Sequence, residues 1–126
     1  MTHKEVEKYL LSLPDTKLDY PFGEDVAVYK FIPAANDGDE KTSPDVPDGS
    51  RGKMFALVVE KSDPVRISLK CDPLLAKTLR QKYESVMPGY HLNKKHWNTI
   101  VLSGQLSREE IQDLIRHSYN LATNAQ

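Results

Sequence analysis

Lys53–Pro73 reads KMFALVVEKSDPVRISLKCDP, and these residues decide the fold class. Lys53–Glu60 is a near-continuous apolar run of strand length, the pattern of a strand buried on both faces. Pro64 marks a turn. Beyond it Val65, Ile67 and Leu69 alternate with Arg66, Ser68 and Lys70, which describes a half-buried strand with one basic face. Asp72-Pro73 then opens a helix. The aspartate can accept first-turn N–H groups, and proline at the first helical position forfeits no hydrogen bond. Leu75, Leu79 and Tyr83 form the inner stripe of that helix.

Towards the N-terminus, Pro33–Ser50 reads PAANDGDEKTSPDVPDGS, with three prolines, two glycines, five acids and one lysine. Such a composition cannot bury a core, so residues 33–51 are expected to form a mobile, solvated acidic loop. Before it, VAVYKFI, ending at Ile32, is β-branched and aromatic and reads as a strand. Asp19–Gly23 is turn chemistry. Thr2–Glu5 is a capping box, and Val6, Tyr9, Leu10 and Leu13 follow at helical spacing until Pro14.

Towards the C-terminus, Pro88–Ile100 reads PGYHLNKKHWNTI and predicts a hairpin that ends near Leu102. A turn at Asn93-Lys94, or a loop over Leu92–Lys95, sets Tyr90 opposite Trp97 and His91 opposite His96. Lys94 and Lys95 then sit at the exposed tip. A second capping box, Ser107–Glu110, starts a last helix with Ile111, Leu114, Ile115, Tyr119 and Ala122 on its apolar face. The order α-β-β-β-α-β-β-α, with mostly antiparallel strands, argues for an α+β layer fold over one domain, residues 1–126.

The totals narrow the function classes. Hydrophobic residues are 39% and charged residues 28%, the balance of an ordinary soluble domain. No apolar run is long enough to span a membrane, and the first residues lack an apolar signal core. The one cysteine, Cys71, rules out an internal disulfide and fits a reducing cytoplasm. Net charge is −1, but it is unevenly spread. Residues 64–100 hold seven Lys/Arg against two Asp/Glu, while residues 1–63 hold eight against thirteen. Such a segregated chain can carry a basic binding surface.

Three chemistries suit the hairpin. Lysines beside aromatics combine phosphate contacts with base stacking, the needs of a nucleic-acid surface. Against that stands a packed hairpin whose lysines serve solubility and whose tryptophan is core. A metal site would draw on His91, His96, His117 and Cys71, yet no C-x-x-C or H-E-x-x-H spacing accompanies them. A Cys-His enzyme would use Cys71, with helix amides lowering its pKa, but no oxyanion or phosphate-loop motif is present. No metal, cofactor or catalytic residue is therefore expected.

Several blocks resemble the MmcQ/YjbR family: YPFG at Tyr20–Gly23, KMFA at Lys53–Ala56, ISLKCDP at Ile67–Pro73, PGYHLNKKHWNTI at Pro88–Ile100 and SYNL at Ser118–Leu121. The resemblance implies a secretion-chaperone-like α+β domain of order α-β(3)-α-β(2)-α. It also implies a DNA-binding protein of the "double-wing" kind, without catalytic residues. Taken with the basic segment and the aromatic-lysine hairpin, it leads to the expectation that Lys94, Lys95, Arg66, Lys70 and Arg80 contact phosphates of double-stranded DNA. Asn93, His96 and Asn98 are expected at bases or sugars, and Trp97 is expected to stack or to buttress the hairpin, with Tyr90 and His91 alongside. The alternative is a protein- or peptide-interaction module.

Overall fold

The computed structural model describes residues 1–32, 52–89 and 92–123. The expected acidic loop, residues 33–51, lies outside the described residues. The elements are α1 (His3–Leu11), β1 (Thr16–Asp19), β2 (Val26–Phe31), β3 (Lys53–Val59), β4 (Arg66–Lys70), α2 (Pro73–Lys82), β5 (Val86–Pro88), β6 (Trp97–Val101) and α3 (Arg108–Thr123). The strands form one sheet in the order β1-β2-β3-β4-β6-β5, with every neighbouring pair antiparallel. The expected α+β class is what the chain adopts, with one strand more than expected before α2. That strand, β1, has only Leu18 as an apolar residue and pairs on one side alone, so it carries little periodic signal.

The helix starts follow the sequence signals. Thr2 and Glu5 form the capping box of α1, and Asp72 accepts the N–H groups of Leu74 and Leu75 at the start of α2. Ser107 and Glu110 form the reciprocal pair before α3.

The pleat sorts the strands into two faces. Ala27, Tyr29, Ala56, Val58, Ile67, Leu69 and Ile100 face the helices and join Val6 and Leu10 of α1 and Ile111, Ile115 and Ala122 of α3 in one core. On the opposite face Val28, Leu57 and Trp97 form a smaller cluster with Val26, Met54 and Leu92. The expectation that KMFALVVE is buried on both faces holds for its middle, Phe55–Val58, where Leu57 packs in one cluster and its neighbours in the other, while Lys53 and Val59 are exposed.

Two residues of α3 fasten this helix to the sheet. Strands β3 and β4 pair as far as Ala56 opposite Leu69. The next pair would be Phe55 opposite Lys70, but a bulge between Tyr29 and Lys30 shifts the β2–β3 register there. The Ser118 hydroxyl takes the place of that rung. It accepts the Lys70 N–H at 2.8 Å and donates to the Phe55 carbonyl at 2.6 Å, while Ser118 itself is fully buried. Tyr119 meets Phe31 and Phe55 edge-on, at ring separations of 5.7 and 5.3 Å. Its hydroxyl donates to the Pro14 carbonyl at 2.6 Å.

Candidate nucleic-acid interface

The hairpin segment begins from a short ladder. Val86 faces Ile100, Met87 faces Thr99 and Pro88 faces Asn98. This register is one residue away from the expected one, which set Tyr90 against Trp97 and His91 against His96. The observed register requires glycine at position 89. Gly89 donates its N–H to the Trp97 carbonyl at 2.9 Å, and a Cβ on Gly89 would lie 2.8 Å from Trp97 Cβ and 3.2 Å from Leu92 Cβ. Only glycine fits across from this tryptophan. Tyr90 and His91 lie outside the described residues.

The tip is tied down by main-chain bonds. Asn93 Oδ1 accepts the Lys95 N–H at 2.9 Å, and the Asn93 carbonyl accepts the N–H groups of His96 and Trp97 at 3.1 and 3.0 Å. Arg80 of α2 donates from Nη2 to the Lys94 carbonyl at 3.0 Å and from Nε to the Ala76 carbonyl at 3.2 Å. The Cys71 N–H donates to the His96 carbonyl at 2.7 Å. Lys94, Lys95 and Asn93 are exposed and His96 is half-buried.

Between this tip and α2 lies an open depression of about 500 Å³ lined by Pro73, Lys77, Arg80, Gln81 and Lys95. Residues 73, 77, 80 and 81 are spaced to share one face of the helix. Lys77 and Gln81 were absent from the expected site. Their helical spacing from Pro73 was the available signal, but it stood opposite the apolar stripe that located the helix. Among the described residues the ion pairs are Lys30–Asp19 and Arg108–Glu5, so neither uses a cation of the depression.

The other expected contacts separate. Lys70 lies across from Trp97 and is half-buried, at the end of β4 nearest the hairpin. Arg66 stands four residues away on the same strand, about 13 Å at the strand rise, and is exposed. Two expectations are corrected. Asn98 is 2% exposed and donates from Nδ2 to the Ala76 carbonyl, so it holds α2 against β6 and does not reach a base. Trp97 is 7% exposed and packs on Val28 and Leu57, which leaves buttressing and removes stacking.

Cys71 is buried, and its surroundings oppose a nucleophilic role. Burial first, and the Asp72 carboxylate second, push its thiol up to about 11. His117 accepts the Asp72 N–H through Nε2 at 3.2 Å, an engagement with the helix cap. The native thiol is expected to react with iodoacetamide at pH 8 about 100-fold more slowly than the urea-unfolded chain, from thiolate fraction alone. Equal rates in the two states would remove this account of the site. Among the described residues no group of three or more His, Cys, Asp or Glu is arranged to hold a metal ion. No described helix is long and apolar enough to cross a membrane.

Comparison with known proteins bears on the family and the fold. The family model described as YjbR matches residues 11–121. The uncharacterized protein YbdF of Escherichia coli O157:H7 is 32% identical over 122 residues, covering 97% of this chain and 84% of its own. The uncharacterized protein YjbR of Escherichia coli K12 is 44% identical over 71 residues, covering 56% of this chain and 60% of its own. The crystal structure of Deinococcus radiodurans protein DR2400, with its DUF419 domain, superposes with a TM-score of 0.82 at 34% identity, covering 98% of this chain and 80% of that one. A Pseudomonas syringae protein superposes with a TM-score of 0.70 at 30% identity, covering 97% and 99% of the two chains.

Proposed function

The chain belongs to the YjbR family, and from that premise we propose that it binds double-stranded DNA through the phosphate backbone, in the cytoplasm and without catalysing a reaction. The observation that carries this reading is the tethered tip. Arg80, Asn93 and Cys71 fix the main chain of residues 93–97 on three sides, so Lys94 and Lys95 are presented from a rigid base. Preorganised cations lose less freedom on binding than cations on a loose loop. Lys70 and Arg80 add positive charge beside them, and Arg66 extends it along β4. The raised thiol pKa of Cys71 supports a non-catalytic role, and the lone cysteine suits a reducing compartment.

The mechanism is counterion release. Each lysine that neutralises a phosphate frees a condensed cation, so affinity falls with salt. Direct base readout has little support, because Asn98 is buried and Asn93 spends its carbonyl oxygen on the turn. Binding is therefore largely independent of sequence.

Fluorescence anisotropy with a labelled random duplex tests this. With about four phosphate contacts, affinity is expected to fall roughly 100-fold between about 50 and about 200 mM salt. Lys94→Glu/Lys95→Glu is expected to flatten the slope of log affinity against log salt by about 2. No binding at the lower salt would overturn the reading and favour the protein-interaction alternative. An unchanged slope in the variant would move the contacts off this tip.

A further inference from the structure

The depression between α2 and the hairpin is concave, whereas Lys94 stands outside it. We infer that Pro73, Lys77, Arg80, Gln81 and Lys95 form a site for the dianionic phosphate of a phosphate monoester. This inference does not rest on duplex binding.

Four features carry it. First, the lining holds three cations and one amide donor, and no carboxylate. A phosphodiester brings one negative charge, while a monoester brings nearly two at neutral pH, so the monoester matches this lining better. Second, Arg80 is oriented before any ligand arrives. Its Nε and Nη2 groups are spent on the Ala76 and Lys94 carbonyls. Of the five guanidinium N–H donors, those two bonds leave three for oxygen acceptors. Third, the donors come from two elements that are pinned together. The Asn98 amide and the Cys71 N–H join β6 and the hairpin end to α2 and its approach. The gap between Lys95 and the Lys77–Gln81 face is thereby set. Fourth, at about 500 Å³ the space exceeds a phosphate alone and falls within the range of small-ligand sites, leaving room for the alcohol part of the ester.

The shared chemistry has two sources, a free nucleoside monophosphate or the 5′-phosphate at a strand end. The experiment is a ¹⁵N-HSQC titration of the full chain at constant ionic strength. Methyl phosphate is expected to shift the amides of Lys77, Arg80, Gln81 and Lys95 to saturation, and dimethyl phosphate is expected to leave them in place. Lys77→Ala is expected to weaken methyl phosphate about fivefold, the ceiling for an exposed charge pair, and Lys94→Ala to leave it within about twofold. Adenosine monophosphate is then compared with a single strand carrying a 5′-phosphate or a 5′-hydroxyl. Saturation by either phosphorylated ligand supports the site and names its source. Equal shifts from dimethyl phosphate, or none from methyl phosphate, overturn it. A duplex with 5′-hydroxyl ends is the separate control for backbone binding, so either reading can fail without the other.

Discussion

Ser118→Ala is expected to destabilise the fold by about 2–4 kcal/mol, read as a lower urea midpoint with an unchanged slope. The hydroxyl removed is small, so lost packing contributes little. The cost comes from two main-chain groups. The Lys70 N–H and the Phe55 carbonyl both use Ser118 Oγ, and both stand where the β3–β4 ladder has opened. Without it both lose this partner, the Phe55 carbonyl in a buried site and the Lys70 N–H in a part-buried one, and an unpaired buried polar group costs about 1–3 kcal/mol. Ser118→Cys, which keeps a weak donor and acceptor of similar shape, should recover part of the loss. A cost below about 1 kcal/mol in Ser118→Ala would mean that β3 and β4 close the missing rung by themselves, and the hydroxyl would then be a convenience of packing.

Trp97→Ala is expected to cost about 3–5 kcal/mol, the range for truncating a large buried aromatic. Trp97 bridges Val28, Leu57 and Leu92, so its removal empties the middle of the smaller cluster and loosens the base of the hairpin. Trp97→Phe retains most of the contact area and should lose far less. The pair of variants separates packing from ligand contact. A folded Trp97→Phe protein is expected to bind DNA within about twofold of wild type, because the ring is covered. Trp97 is the sole tryptophan, so its emission reports directly. It should be blue-shifted in the free protein and little changed on adding duplex. Native stability in Trp97→Phe with collapsed binding would reinstate stacking as the role of this residue.

Much of the frame was legible because its signals are local. The Asp72-Pro73 start, the two capping boxes and the alternation of Val65 to Lys70 each depend on residues within one turn or one pleat of each other. β1 escaped notice because Leu18 alone offers an apolar contact and the strand draws its order from pairing with β2. The hairpin segment is legible from its residues, but its register is one residue away from the one its turn signal predicts. Strand pairing depends on what meets across the ladder, and the need for a bare Cα at Gly89 arises only once Trp97 is opposite. Which polar residue turns inward does not follow from the register, because Asn98 and Ile100 share a face of β6 in either pairing and the alternation alone leaves open which face is the core. In Trp97-Asn98-Thr99-Ile100 the alternation puts Asn98 with Ile100 on the helix side, where the Ala76 carbonyl makes an asparagine acceptable. The cations of the site were visible as a charge-rich segment, but their convergence was not. Lys95 meets Lys77 and Arg80 only because β6 returns beside β4 and carries the hairpin end over α2.

The position of α3 in the chain bears on how the protein is made. Residues 108–123 are the last described helix to leave the ribosome, yet they cover β2, β3 and β4 and supply the Ser118 bridge between two of them. At a synthesis rate of about 5–20 residues per second, the nascent sheet waits several seconds between β3 and the arrival of its cover. During that interval Phe55, Ile67 and Ile100 lack the helix that buries them. The helix-facing side of the sheet thus stays incompletely covered in a growing chain until this last described helix has emerged.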